Sequence, residues 1–293
     1  MYAVCGATGN TGFVVAETLL KLGKKVRVIG RSREKLQGLV QTGAEAFAAD
    51  MEDAEALTSA FSGATAVYVL IPPNIIVEDF RAYQNRISDA ISTAIKNDGV
   101  KYVVMLSSIG GNHPSGTGPV VGLHELERKL QMIPGLNVLV LRAGFFMENY
   151  LMNIGMVKST GILGAPLTDN VPMPVIASFD IGKYAAERLS RLDFTGFSIV
   201  NLHGPLVTFK QVASTLGNSI GRPDLPYVQF SYDDAEKGLL GMGLKPQMAA
   251  LYVEMYKGAA EGKLMFDPSG PEVSTPTTLQ EFSRQFATAY KAS

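Results

Sequence analysis

A doubly wound α/β fold, a parallel sheet with helices on both faces, is predicted for this 293-residue chain by three observations. Short β-rich runs alternate with longer segments of helical period through the first half. A turn with glycines at 6, 9 and 12 joins the first run to the first helical segment. Beyond about Gly155 the texture changes: Gly161, Gly164, Pro166, Pro172 and Pro174 punctuate a loop-rich stretch with short β runs.

The elements follow in order. Tyr2–Cys5 reads as the first strand, and Thr11–Leu22 as a helix because Val14, Val15, Thr18, Leu19 and Leu22 share one face. Lys25–Ile29 is the second strand, with a shorter helix carried by Leu36, Leu39 and Val40. Strands at Ala44–Ala48 and Ala66–Leu70 bracket a helix over Asp53–Phe61. The Pro72-Pro73 break precedes a long helix, Val77–Lys96. Strands at Tyr102–Leu106 and Val138–Leu141 enclose a helix over Gly122–Met132. Later helices are expected at Ile181–Arg191, Phe209–Ile220, Pro246–Gly258 and Leu279–Tyr290.

Bulk properties bound the function. Lys and Arg number 26 against 27 Asp and Glu, so no global field draws the chain to nucleic acid or an anionic membrane. The single cysteine, Cys5, rules out an internal disulfide, and three scattered histidines (His113, His124, His203) form no metal-ligand pattern. No apolar stretch approaches the roughly 20 residues of a membrane span. Tyr2–Cys5 runs straight into the glycine loop, so no leader is expected and a cytoplasmic address is.

The loop Gly6-Ala7-Thr8-Gly9-Asn10-Thr11-Gly12 stands where a strand gives way to an amphipathic helix. Gly6 suits a tight turn, Gly9 a close approach of backbone to pyrophosphate, and Gly12 close helix–sheet packing. The helix start adds free amides and the positive dipole end. Together these predict a Rossmann-type dinucleotide site with Gly6, Thr8, Gly9, Asn10, Thr11 and Gly12 at the phosphates. The second strand ends in Gly30-Arg31-Ser32-Arg33-Glu34-Lys35, without the carboxylate that would hold a ribose 2′-hydroxyl. Arg31, with Arg33 beside it, suits a 2′-phosphate, which favours NADP(H) while leaving NAD(H) open. Residues 1–154 are expected to form this domain. Residues 155–293 would form a smaller, irregular C-terminal substrate-binding part that can interleave with it and returns near the strand ends.

These segments, taken with Ala49-Asp50-Met51, Leu70-Ile71-Pro72-Pro73, Leu106-Ser107-Ser108, His124-Glu125-Leu126-Glu127 and Arg142-Ala143-Gly144-Phe145-Phe146-Met147-Glu148-Asn149, resemble the NmrA-like branch of atypical short-chain dehydrogenases/reductases. Phe179-Asp180-Ile181-Gly182 and Leu202-His203-Gly204-Pro205 extend the likeness over nearly the whole chain. The resemblance implies that Asp50 and Met51 lie by the adenine and Leu70, Ile71 and Pro72 by the adenosine ribose and phosphates. It places Ser107 and Ser108 near the nicotinamide. Read without the resemblance, Asp50 also suits a helix cap, and the serines a self-satisfied strand end.

Typical short-chain dehydrogenases use a Tyr-x-x-x-Lys pair, and none occurs here. At that place stands Gly122-Leu123-His124-Glu125-Leu126-Glu127-Arg128, in which His124 and Glu127 share a helix face. An imidazole near a carboxylate can donate a proton near neutrality, so His124 and Glu127 are the candidate catalytic pair. A charged surface helix is the alternative. After the sixth strand, Phe146, Asn149 and Tyr150 are candidates for a substrate wall. The resemblance implies an NADPH-dependent reductase of a small apolar electrophile such as a quinone. The competing reading is a redox-sensing regulatory protein that binds the cofactor without turnover. A sugar-nucleotide epimerase would need the missing tyrosine. The partner is then a small molecule, with a homodimer the candidate oligomer.

Overall fold

The computed structural model describes residues 1–293. Its first half alternates as expected: β1 (Tyr2–Cys5), α1 (Asn10–Lys21), β2 (Val26–Gly30), α2 (Arg33–Gln41), β3 (Glu45–Ala48), α3 (Ala54–Phe61), β4 (Ala66–Val69), α4 (Phe80–Asp98), β5 (Tyr102–Ser108), α5 (Val121–Gln131) and β6 (Asn137–Ala143). The long helix starts at Phe80 rather than Val77 because Asp79 caps it, accepting from the Ala82 amide at 2.9 Å. The second half runs β7 (Phe145–Phe146), α6 (Ile154–Thr160), β8 (Leu163–Ala165), β9 (Met173–Ile176), α7 (Ser178–Arg191), β10 (Phe197–His203), β11 (Leu206–Val207), α8 (Phe209–Ser219), β12 (Tyr227–Gln229), α9 (Tyr232–Gly241), α10 (Pro246–Ala260), β13 (Glu272–Ser274) and α11 (Leu279–Ala292).

The central sheet has the order β13-β10-β6-β5-β4-β1-β2-β3, and every pairing in it is parallel. The chain leaves β1 toward β2 and β3, then returns to β4 on β1's other side. That reversal opens a crevice above the carboxyl ends of β1 and β4, where ligands bind in such sheets. Two strands of the sheet, β10 and β13, come from residues beyond 155, and α7 packs on the same face as α1. The second half is thus woven through the first.

Strand residues alternate between two cores. Ala3, Cys5, Val67, Val69, Val103 and Met105 face α3, α4 and α5. Val4, Ala66, Tyr68, Val104, Leu139 and Leu141 face α1, α2 and α7. Both faces are covered, so the strands read as continuous apolar runs rather than alternating ones. Ile87, Ile91 and Ile95 of α4 are buried at i, i+4 and i+8, each contributing about 1.5–3 kcal/mol over an exposed side chain. A third core joins the 3-10 turn at Met147–Asn153 to α8 and α11. No helix is long and apolar enough to cross a membrane.

Helices α6 and α9 were not legible as helices. In α9 only Ala235 is buried, and Gly238 and Gly241 interrupt its period.

Candidate active site

The glycine loop has the geometry its spacing predicts. Gly6 sits at φ +62°, a left-handed conformation that a side chain would strain, and its carbonyl accepts from the Gly9 amide at 2.9 Å. A Cβ on Gly12 would run into the Gly6 carbonyl, so the start of α1 rests directly on the end of β1. No side chain caps α1 and no acid stands in its first turn, so its leading amides face the crevice unsatisfied. Thr8, Gly9 and Asn10 are exposed at the rim of a cavity of about 350 Å³, opposite Glu148 and Ser178. Both carboxylate oxygens of Glu148 are turned to Ser178. Glu148 accepts from the Ser178 amide at 3.0 Å and hydroxyl at 2.6 Å, capping α7. These features fit a dinucleotide's pyrophosphate. Thr11 differs from its neighbours: it is buried, and its hydroxyl accepts from Tyr68 at 3.0 Å. Only its backbone faces the phosphate side.

At the other end of the crevice Arg31 leaves β2 exposed, with Arg33 following at the start of α2. The one acid of the segment, Glu34, is drawn back to the Ser32 hydroxyl at 2.5 Å, which holds its carboxyl below the usual range. Arg31 and Asp50 both stand close enough to the Tyr83 phenol for their charges to act on it. Burial pushes the Tyr83 phenol up to about 12, the charges of Glu52 and Asp50 add to the rise, and Arg31 opposes it. Tyr83 donates to the Pro72 carbonyl at 3.0 Å. The cap of α3 is Asp53, which accepts from the Glu55 and Ala56 amides at 3.0 Å. Asp50 is therefore left exposed at the strand end, making a short turn to the Glu52 amide. Met51 points into the core at 6% exposure, so its side chain is not at the crevice. Leu70 packs beneath Gly6, and Ile71 is nearly buried.

The two serines after β5 part company. Ser107 is buried and donates to Glu127 Oε1 at 2.5 Å. Glu127, 3% exposed, also receives Arg142 Nη2 at 2.6 Å and Nε at 3.2 Å, and Arg142 pairs further with Asp267. Burial works against the Arg142 charge, and Glu127 and Asp267 overcome it. Glu127 is thus consumed by a buried ion-pair network and does not reach the cleft. His124 faces elsewhere, one turn away. Its Nδ1 lies 2.8 Å from the Gly111 carbonyl, which can only accept, so Nδ1 carries a proton and neutral imidazole leaves Nε2 bare. That bond latches the loop after β5, and His124 lines neither cavity of the cleft. The structure does not bring the predicted pair together as an acid.

Ser108 instead borders a cleft of about 650 Å³ at the carboxyl edge of the sheet. Phe146 and Asn149 line it as expected, and half of its 24 lining residues are hydrophobic. Its one charged residue, Asp234, is exposed and accepts from Ser231 at 2.7 Å. The far wall was not anticipated. Leu239 and Met242 belong to α9 and its end, and Tyr252, Met255 and Tyr256 to α10. The last three share a helix face, a pattern that in sequence reads as ordinary core. Tyr150 lines a smaller inner chamber of about 90 Å³.

The model of the NmrA-like family matches residues 2–283. Quinone oxidoreductase 2 of Escherichia coli (strain K12) is 28% identical over 275 residues, covering 91% of each chain. The fold matches the solved structure of the NADPH-dependent quinone oxidoreductase from Escherichia coli, complexed with NADPH, at a TM-score of 0.83 and 26% identity over 97% of this chain and 99% of that one. It matches the Citrobacter sp. triphenylmethane reductase complexed with NADP(H) at a TM-score of 0.80 and 20% identity, over 98% and 100% of the two chains, a likeness of fold.

Proposed function

Because the chain belongs to the NmrA-like family, we propose that it is an NADPH-dependent reductase whose acceptor is a flat, apolar electrophile of the quinone type. The observation that carries this reading is the apolar cleft at Ser108, on the same edge of the sheet as the glycine loop and Arg31. The quinone oxidoreductase relatives support the acceptor class. NADPH, when bound, supplies a hydride. The backbone of Gly6–Gly12 holds the pyrophosphate, with Thr8 and Asn10 at its rim. Arg31 takes the 2′-phosphate and Arg33 adds to the local positive field. Asp50 and the Leu70–Pro72 turn border the adenosine, and Ser108 borders the reacting end. Phe146 and Asn149 present the face on which the acceptor lies.

Two-electron reduction of a quinone to a hydroquinone needs one proton beyond the hydride. No side chain on the cleft wall is set up to give it. Burial pushes the Tyr256 phenol up to about 12, Glu127 is spent on Arg142, and His124 is turned to Gly111. The oxygen anion left by reduction takes its proton from water, which a quinone permits and a simple ketone does not. A small-molecule partner accords with the balanced charge, which sets up no global field toward nucleic acid or an anionic membrane.

The test is NADPH oxidation against a panel of quinones, conjugated enones and azo dyes, run beside a binding titration of NADPH. Turnover with at least one quinone is expected. Tight NADPH binding with no turnover on any acceptor would replace the reductase by a cofactor sensor.

A further inference from the structure

Behind the cleft lies the chamber of about 90 Å³, which shares Ser108, Phe145, Asn153, Met255 and Tyr256 with it. Thirteen of its 16 lining residues are hydrophobic and none is charged. Tyr150 forms part of the wall, 3% exposed, with its ring against Phe145 at 5.3 Å between centroids. Its neighbour Tyr227 spends its hydroxyl on the Leu167 and Ala165 carbonyls, at 2.6 and 3.1 Å. The Tyr150 hydroxyl has no such acceptor. Burial raises its pKa, the phenols of Tyr227 and Tyr256 add to the rise, and no hydrogen bond offsets it.

The hydroxyl oxygen is not sealed within protein, and with no partner in the chain it is free to donate into the chamber that Tyr150 lines. The donor is therefore matched to something that enters the chamber. We propose that the inner chamber is a substrate subsite, taking an apolar group that ends in a neutral carbonyl oxygen and seating that oxygen on the Tyr150 hydroxyl. The proposal rests on the cleft being the substrate site. A carboxylate or phosphate is shut out, because no cation stands in the wall to repay its desolvation. The same burial keeps the phenol protonated, so Tyr150 orients the substrate and does not supply the proton.

The protein saturated with NADP⁺, which cannot reduce a ligand, is titrated calorimetrically with acetophenone and with ethylbenzene. Tyr150→Phe removes only the oxygen and should weaken acetophenone by about five- to tenfold. Ethylbenzene binding and the thermal midpoint should hold. Ala259→Phe, which fills the chamber from α10, should weaken both ligands by about tenfold in a protein whose thermal midpoint shows it folded. Equal loss of both ligands in Tyr150→Phe, no loss of either, or a folded Ala259→Phe that binds both normally would each overturn the subsite. Quinone turnover reports separately. A protein that reduces quinones while Tyr150→Phe binds acetophenone normally keeps the reductase and loses the subsite. One that reduces nothing yet binds acetophenone through Tyr150 does the reverse.

Discussion

Replacing Glu127 by glutamine should damage stability far more than chemistry. The carboxylate accepts three hydrogen bonds, from Ser107 and from two nitrogens of Arg142, inside a site where both ion-pair partners are at most 4% exposed. An amide offers one acceptor oxygen. Turned toward Arg142 Nη2, its NH₂ meets a donor head-on, and turned the other way it still confronts Arg142 Nε. At least one charge-assisted bond is lost, each worth about 1.5–3 kcal/mol. Breaking a buried pair outright costs about 3–5 kcal/mol. Asp267 continues to neutralise Arg142, so the expected loss lies near the low end, about 3 kcal/mol. At about 2–4 °C per kcal/mol for a chain of this class, the thermal midpoint should fall by roughly 6–12 °C. Urea unfolding gives the free energy, and NADPH-dependent quinone reduction per folded molecule gives the chemistry, which should stay within about threefold of wild type. A stability loss under about 1 kcal/mol, or a 10²-fold fall in turnover at unchanged stability, would refute the structural role and restore Glu127 as a proton handler.

Arg31→Ala should remove most of a preference for NADP(H) of about tenfold or more over NAD(H), about 1.4 kcal/mol, in calorimetric titrations of both cofactors. Equal wild-type affinities would defeat it. Gly9→Val should abolish NADPH binding in a folded protein, because a Cβ there meets only the Gly6 carbonyl at 3.3 Å and otherwise faces the phosphate side. Normal binding by the folded variant would show the site misplaced. His124→Ala should speed amide exchange in the loop before α5 and change turnover by about threefold at most. A 10²-fold loss with a missing limb in the pH profile would make His124 the acid after all. Burial alone would raise the Asp267 pKa, but hydrogen bonds from Ser269 and the charge of Arg142 carry it below the usual carboxylate range. Its stabilisation is therefore present above the unfolded value of 3.8 and lost as pH falls through the lower folded one. Asp267→Asn should flatten the acid limb of the thermal-midpoint curve, and an unchanged limb would count against this.

The first half was legible because its signals are local. Strand runs, helical period and the glycine spacing act within a dozen residues, and the φ of Gly6 and the contact at Gly12 are what that spacing demands. The exposed position of Arg31 was legible for the same reason: it directly follows its strand. Side-chain direction was not legible. Thr11, Met51 and Ser107 stand at the expected backbone positions, yet each turns inward, to Tyr68, the core and Glu127. A motif fixes where backbone passes, whereas hydrogen-bond partners come from other strands. Helical spacing put His124 and Glu127 on one face, but Arg142, on the neighbouring strand, claims one and the Gly111 carbonyl the other. The cleft belongs still more to the tertiary structure, since its far wall is α9 and α10, some 85 to 110 residues beyond Phe146 and Asn149. A pocket is defined by what fails to fill it, and no sequence pattern encodes the acceptor that Tyr150 lacks.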